Sequence, residues 1–473
     1  MNTLKLLIAL SLLPVLAVSA QDKMDLSLDE AKSYALDHNK TIQNAELDKE
    51  LAKKSVWEAI SSGLPQVSAS FDYTNFFNYE FAFSFGGGGT GLSKEQTSGI
   101  INDILTNEYP TANPSTILAS YAIDSAIQSN MPTSSIRMRD QASAKLQVSQ
   151  LVFSGQFLVG IQSAKLAKEI MNMSYNKTEN EVTDMVISSY YLTLITQESL
   201  RILKENIGNL DKMVSQTQAM VDAGMAEQID ADQLKITSVQ LKNSLKSMER
   251  NLEMNYNMLR FQLGVEPGTP LNLTTTLDDV INSQEVIQST LAPFVIDNNI
   301  DYQLFKGQEK VQEKQVMLQK SAYLPTISAF YSYNAKIITT DFDLNPPHTI
   351  GFSVNLPLFT SWNRQTKVQK AEIQLDKVRN SKAMLEDQLN MQSEQLKYNL
   401  KTAIENYNLQ KENVEVAKRV YDTYNRKYNE GVISSLELTQ SNSTYLEAES
   451  NYIQSVMSML QAKLALDKLN NNL

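Results

Sequence analysis

What this sequence lacks narrows it before any motif is read. It has no cysteine, so there is no disulfide framework, no thiolate metal site, no cysteine nucleophile and no lipid-acceptor thiol. Its two histidines, His38 and His348, stand far apart and outside any HExxH pattern, which leaves a zinc site without ligands. The run Gly86-Gly87-Gly88-Gly89 has no Lys-Ser or Lys-Thr at phosphate-loop spacing and sits in loop composition. Past the amino-terminal leader no apolar run reaches the ~18 residues that a transmembrane helix needs. That excludes helical insertion but not a β-barrel, whose strands carry only a weak alternating signal. Nothing reads as catalytic, and neither a cofactor nor a metal is expected. The methionines at helical spacing (Met171, Met173, Met213, Met220, Met248, Met254, Met258) read as core filler rather than copper ligands.

The leader has the form of a signal peptide, residues 1–20: Lys5 as the positive region, Leu6 to Val18 as the apolar core, and Val18-Ser19-Ala20 as the cleavage site. Export is the expectation. The formal net charge of −11 becomes −12 once Lys5 is removed with the leader, which argues against a nucleic-acid partner.

The organising feature is a stretch that occurs twice. Ser61-Ser62-Gly63-Leu64-Pro65-Gln66-Val67-Ser68-Ala69 returns 260 positions later as Ser321-Ala322-Tyr323-Leu324-Pro325-Thr326-Ile327-Ser328-Ala329. In each copy a helix-forming segment reaches Leu-Pro and stops, because proline lacks the N–H and drives its predecessor to extended backbone. Strict alternation follows. Val67, Ala69, Phe71 and Tyr73 oppose Gln66, Ser68, Ser70 and Asp72; Ile327, Ala329, Tyr331 and Tyr333 oppose Thr326, Ser328 and Ser332, with Phe330 the exception. Leu64, Pro65, Leu324 and Pro325 thus mark helix-to-strand junctions that lead into strands with one greasy and one wet face.

Taken in order, Ser27-Leu28-Asp29-Glu30 opens a helix with a capping box, and the helix runs to about Ser62 with a break near Asn39. The first repeat spans residues 21–265. It has strands at about 66–74 and 144–153, an external loop over 75–140, and long helices over 156–223 and 226–263. Phe76, Phe77, Tyr79 and Phe81 form either an aromatic girdle or an ordered external loop. No proline occurs between Pro132 and Pro267, and Leu203, Ile207, Leu210, Val214 and Val221 keep coiled-coil spacing. Residues 266–284, with Pro267, Gly268 and Pro270, read as a linker. The second repeat spans 285–473, with a helix over 297–323, strands at about 326–334 and 348–359, and long helices over 362–429 and 436–469. Gly224 and Gly431 break the helical hairpins 207 positions apart, and an acid follows six residues after each, Asp230 and Glu437.

Each repeat is therefore a strand hairpin joined to a long helical hairpin. Four strands cannot close a barrel, and lipid does not tolerate an open sheet edge. Two copies would give eight strands and three would give twelve, both even.

The leader, the duplicated Leu-Pro strand entry, and the glycine turns with their trailing acids resemble the outer-membrane efflux protein family, the TolC-like channels. The resemblance runs from Leu26 to Leu469. It implies a mainly α chain with a membrane β-barrel: a homotrimer with a twelve-stranded outer-membrane barrel and a periplasmic α-helical barrel. It also implies location in the outer membrane of a Gram-negative bacterium, reaching into the periplasm, with a periplasmic adaptor and an inner-membrane transporter as partners. The function it implies is a passive exit duct for small molecules in a tripartite efflux pump, not an enzyme. A type I protein secretion channel is the first alternative; the others are a periplasmic adaptor, which flanks one hairpin with split β-domains where this chain has two hairpins and two strand pairs, and a coiled-coil structural protein, which would not need amphipathic strands. By resemblance, Asp230 and Glu437 are acids at a periplasmic aperture, Tyr428 holds it by a hydrogen bond across helices, and Gln440 replaces a further acid. Ile433 stands where some members carry a basic residue. The bland alternatives are that both acids serve the helix dipole and that Tyr428 is a seam residue.

Overall fold

The computed structural model describes residues 23–77, 79–83, 134–137, 140–281, 293–338 and 346–473. The leader, Gly86 to Gly89 and most of the 75–140 excursion lie outside them. In chain order the elements are β1 (Met24–Leu26), α1 (Leu28–His38), α2 (Lys40–Ser61), β2 (Gln66–Thr74), β3 (Glu80–Phe83), β4 (Ser134–Arg137) and β5 (Gln141–Ser154). Then come α3 (Gly155–Asp222), α4 (Gln228–Leu263), β6 (Leu271–Leu273), α5 (Leu277–Ile281), a 3-10 turn (Ile296–Asn298) and α6 (Ile300–Ser321). The chain ends with β7 (Thr326–Ile338), β8 (His348–Asn355), α7 (Asn363–Asn429) and α8 (Ser435–Asn470).

These elements form two compact units. The helical unit takes in the chain up to Ala59, Leu158–Ser321 and Thr360–Leu473. Helices α3 and α7 have 68 and 67 residues, about 100 Å each at ~1.5 Å per residue. Helices α4 and α8 have 36 residues each, about half that length. The main core gathers Ala31 and Ala35 of α1, Val186 and Tyr190 of α3, Leu259 and Leu263 of α4, and Val456 and Leu460 of α8. Burying each of the larger of these side chains stabilises by roughly 1.5–3 kcal/mol, and their 3–4 spacing is what makes these segments helices rather than strands. No helix among the described residues is long and apolar enough to cross a membrane.

All four long-helix ends stop in the same way. Gly224, Gly264, Gly431 and Asn471 adopt positive φ of 74°, 75°, 72° and 61°. At the first, Gly224 N–H donates to Val221 O and Met225 N–H to Met220 O; at the third, Gly431 donates to Tyr428 O and Val432 to Lys427 O. This double closure satisfies the last carbonyls of a helix and needs a left-handed residue.

Several expectations are corrected. The stretch 266–284 is not a plain linker: β6 pairs in parallel with β1, and α5 follows. The helix expected over 297–323 is interrupted at Asn299, whose ψ of 126° is extended. The last strand ends at Asn355, short of 359, because Pro357 has no N–H for the ladder. The middle strands are longer than expected, with β5 starting at Gln141 and β7 reaching Ile338. Inside the stretch read as loop, β3 and β4 pair antiparallel.

The strand unit comprises Ile60–Phe157 and Ala322–Phe359. Its principal sheet has the order β2-β5-β7-β8, all antiparallel. Register carries the alternation across the strands. Val67 opposes Val148, Val148 opposes Tyr331 and Tyr331 opposes Ile350, while on the other face Ser68, Gln147, Ser332 and Thr349 form one row. The apolar row is open to the outside: Phe71 is 64% exposed, Ile350 83% and Phe352 78%. Phe330, the break in the pattern, lies on the polar face opposite Gly351. A Cβ on Gly351 would lie 2.8 Å from the tip of that ring, so the aromatic fills the space that glycine leaves.

Candidate functional site at the helix turns and on the sheet

At the ends of α3 and α7 the two glycine turns meet a small core of their own. Leu210 and Met213 of α3, Leu234 of α4, Tyr421 and Tyr428 of α7 and Leu438 of α8 are buried together, with Ile433 packed against them. Ile433 therefore serves as a cover for this core. Three polar contacts tie the hairpins to each other here, one of them from the Tyr421 hydroxyl to Met213 Sδ at 3.9 Å. The Tyr428 hydroxyl lies 2.5 Å from the Thr217 hydroxyl, and both residues are buried. The Ser435 hydroxyl donates to an Asp230 carboxylate oxygen. Each contact joins one repeat to the other.

Both acids also begin their helices. Asp230 accepts the Glu227 N–H at 3.3 Å. Glu437 accepts the Ser434 N–H and hydroxyl, both at 2.9 Å, and its own N–H donates to Ser434 Oγ at 3.3 Å. These bonds, led by the Ser434 backbone N–H and then its hydroxyl, hold the Glu437 carboxyl below its ordinary value; Lys427 adds a small pull in the same direction. Gln440 is exposed and takes no part in the contacts between hairpins; its backbone carbonyl accepts the Thr444 hydroxyl. Among the aperture candidates, then, Asp230 and Tyr428 reach across to the other hairpin, and Glu437 bonds within its own cap. Thr217 and Ser435 were missed. Ser434-Ser435-Leu436-Glu437 is a legible capping pattern, but nothing in the sequence marks Thr217 as the partner of a tyrosine 211 positions away.

The Leu-Pro junctions terminate α2 and α6. At the first, Gly63 N–H donates to Ile60 O and Leu64 N–H to Ser61 O before the strand begins at Gln66. Gly63 has a local reason: a Cβ there would overlap the Phe157 ring. Leu64 and Leu324 are 42% and 48% exposed. Of the methionines, Met213 is buried, whereas Met254 and Met258 are exposed; the latter two are not core filler in the single chain. Phe77 is exposed and Tyr79 is exposed. Among the described residues no group of three or more His, Asp or Glu is placed to hold a metal ion.

Residues 296–472 match the outer membrane efflux protein family. Among solved structures, the chain is similar to the outer membrane protein VceC from Vibrio cholerae, at 13% identity over 93% of this chain and 95% of that one, with a TM-score of 0.67. It is similar to the Campylobacter jejuni CmeC outer membrane channel, at 14% identity over 94% and 85% of the two chains, TM-score 0.66. It is also similar to the open state of the Neisseria gonorrhoeae MtrE outer membrane channel, at 13% identity over 96% and 93%, TM-score 0.66. No curated protein matches the sequence. The chain thus has the fold of the outer-membrane efflux channels over almost its whole length, and its second repeat carries the sequence pattern of the outer membrane efflux protein family.

Proposed function

We propose that this protein is the outer-membrane exit duct of a tripartite efflux pump. Three copies close their sheets into one twelve-stranded barrel, and their helices line a periplasmic tube through which small molecules pass passively. An adaptor and an inner-membrane transporter dock on it and supply the energy. The leader directs export, and the mature chain resides in the outer membrane of a Gram-negative bacterium.

The observation that carries this reading is the sheet. It is apolar on one face and polar on the other, both faces are exposed along β2 and β8, and among the described residues it is open at both edges, β2 and β8. Its strands have 9, 14, 13 and 8 residues, close to the ~9–11 that a tilted membrane strand needs. In lipid the unpaired N–H and C=O groups of an open edge cost several kcal/mol each, so β2 must pair with β8 of another copy.

In this reading the glycine turns form the periplasmic end, where three copies of Asp230 and Glu437 favour cations and the Tyr428 contact holds the aperture narrow. Conductance in planar bilayers is then low and cation-selective. The test of the architecture is cross-linking after gentle detergent extraction of the outer-membrane fraction. Three-chain species are expected; a monomer, or recovery in the soluble periplasmic fraction, contradicts the proposal.

A further inference from the structure

The two strand hairpins of the sheet share one register. A shift of 260 positions carries β2 onto β7, and a shift of 206 carries Val152-Phe153-Ser154 onto Leu358-Phe359-Thr360, just beyond β8. Under those shifts Gln66 opposite Ser149 becomes Thr326 opposite Asn355, and Ala69 opposite Leu146 becomes Ala329 opposite Phe352. All eight β7–β8 pairs follow from β2–β5 pairs in this way. The strand β5 also takes β7 on its other side. Its counterpart β8 has no strand on that side among the described residues, and neither has β2, the counterpart of β7. Every residue of β2 is exposed, as are seven of the eight in β8.

We propose that β8 of one chain pairs with β2 of the next copy in the register that β5 and β7 already show. Carried across by the two shifts, Leu146 opposite Tyr333 becomes Phe352 opposite Tyr73, and Val148 opposite Tyr331 becomes Val354 opposite Phe71. Asn355 then opposes Ser70 and Leu356 opposes Ala69, the second residue of each pair belonging to the neighbouring copy. This pairing rests on the trimeric duct proposed above and names the residues of its three seams. The faces agree. Phe352, Val354 and Leu356 meet Tyr73, Phe71 and Ala69, while Ser353 and Asn355 meet Asp72 and Ser70; a one-residue slip would set apolar side chains against the polar face. The backbone agrees too. Asn334 N–H donates to Pro347 O at 2.8 Å, so odd-numbered residues of β8 turn their N–H and C=O towards β7 and even-numbered ones turn theirs outward. The bulge also finds its place. Register shifts on β5 between Leu151 and Phe153, which puts Leu358 at the bulged position of Val152 and Pro357 beside it, where a strand tolerates proline. Val152 and Leu358 are 62% and 87% exposed. Beyond the bulge Phe359 falls opposite Val67.

A slip of two residues would keep the faces, so the test must separate registers two residues apart. Disulfide trapping does so on a clean background, because the chain has no cysteine. Ser70 and Asn355 form a non-hydrogen-bonded pair in this register, with Cα atoms ~4.5 Å apart. A disulfide spans that distance but not the ~7–8 Å between diagonal neighbours. Full-length variants are oxidised in outer membranes and resolved on denaturing gels without reductant. The Ser70→Cys, Asn355→Cys variant should give about ten times more covalent trimer than the offset variants Ser68→Cys, Asn355→Cys and Asp72→Cys, Asn355→Cys. Asp72→Cys, Ser353→Cys lies in the same register and should trap as well, and it stands in if the first variant fails to assemble. Amine cross-linking under reductant measures trimer yield in each. Best trapping at an offset pair, or trapping at neither predicted pair, with trimer yield intact, overturns the register and leaves the duct standing. A disulfide within one chain, or no trimer by amine cross-linking of wild type, overturns both.

Discussion

Asn39 and Asn299 lie 260 positions apart in the two repeats and make the same bond through Nδ2, while each Oδ1 accepts an N–H of the following helix, two residues on in the first repeat and three in the second. Asn39 Nδ2 donates to the Gln262 carbonyl near the end of α4, and its Oδ1 accepts the Thr41 N–H. Asn299 Nδ2 donates to the Leu469 carbonyl near the end of α8, and its Oδ1 accepts the Tyr302 N–H. The acceptor carbonyls are themselves equivalent, since Gln262 and Leu469 are 207 positions apart, the spacing of the glycine turns. Leu234 and Ser441 have that same spacing and behave differently. Leu234 is fully buried in the turn core, whereas Ser441 is buried with its hydroxyl lacking a partner among the described residues. Duplication has therefore preserved the devices that stop and join helices, while the side chains packed between them have diverged.

The largest expected effect breaks the comparison at that diverged pair. Leu234→Ala removes a fully buried side chain and should cost about 2–5 kcal/mol in urea unfolding of the detergent-extracted protein. Ser441→Ala removes an unpaired hydroxyl and should be neutral or slightly stabilising, within about 1 kcal/mol. Equal losses would mean that the two positions pack alike.

The next contrast is at the left-handed residues that end α4 and α8. Gly264 and Asn471 share that conformation, but a Cβ on Gly264 would lie 2.6 Å from the His38 carbonyl oxygen. Gly264→Asn, which copies the second repeat into the first, should destabilise by about 2–3 kcal/mol, while Asn471→Gly should change stability by a few tenths, roughly. Thermal unfolding of both variants distinguishes the close approach from the backbone requirement alone.

The asparagines sharpen the comparison by similarity. Asn39→Ala and Asn299→Ala each orphan a buried carbonyl and an N–H, so each should cost about 1–3 kcal/mol, and the two losses should agree within about 1 kcal/mol. A cost at one site alone would show that the shared geometry carries unequal energy. The smallest effect concerns the helix-start acids. The bonds from Ser434 lower the Glu437 pKa from 4.5, so the stability they give is present above that value and is lost as pH falls through the lower folded value. In acid titrations monitored by circular dichroism, Glu437→Gln should therefore unfold with a shallower pH dependence below about pH 4.5 than wild type.

The backbone devices were legible in the sequence because each is a local residue requirement. Leu64-Pro65 and Leu324-Pro325 stop helices, Gly224 and Gly431 supply positive φ, and Ser27 with Glu30 closes a capping box. Alternation gave the faces of β2 and β7, and only Phe330 needed Gly351 across the ladder to make sense of it. Pairings between segments far apart in sequence left no local trace. That holds for β1 with β6, Asn299 with Leu469, and Thr217 with Tyr428. The roles of Asp230 and Glu437 were ambiguous for a different reason. A carboxylate in a first helical turn satisfies the same N–H groups whether or not it also faces an aperture, so spacing alone cannot separate the two roles.

The two hairpin turns of one chain are latched to each other through Tyr428 with Thr217 and Ser435 with Asp230, and in the exit duct proposed above these latches keep the aperture narrow. Single-channel conductance of the Tyr428→Phe, Ser435→Ala double variant in planar bilayers tests it most directly. Losing both contacts removes about 1–3 kcal/mol of latch per chain. The account predicts larger and more frequent openings than wild type at equal trimer yield. Conductance and opening frequency identical to wild type, in a variant that still assembles, would contradict it.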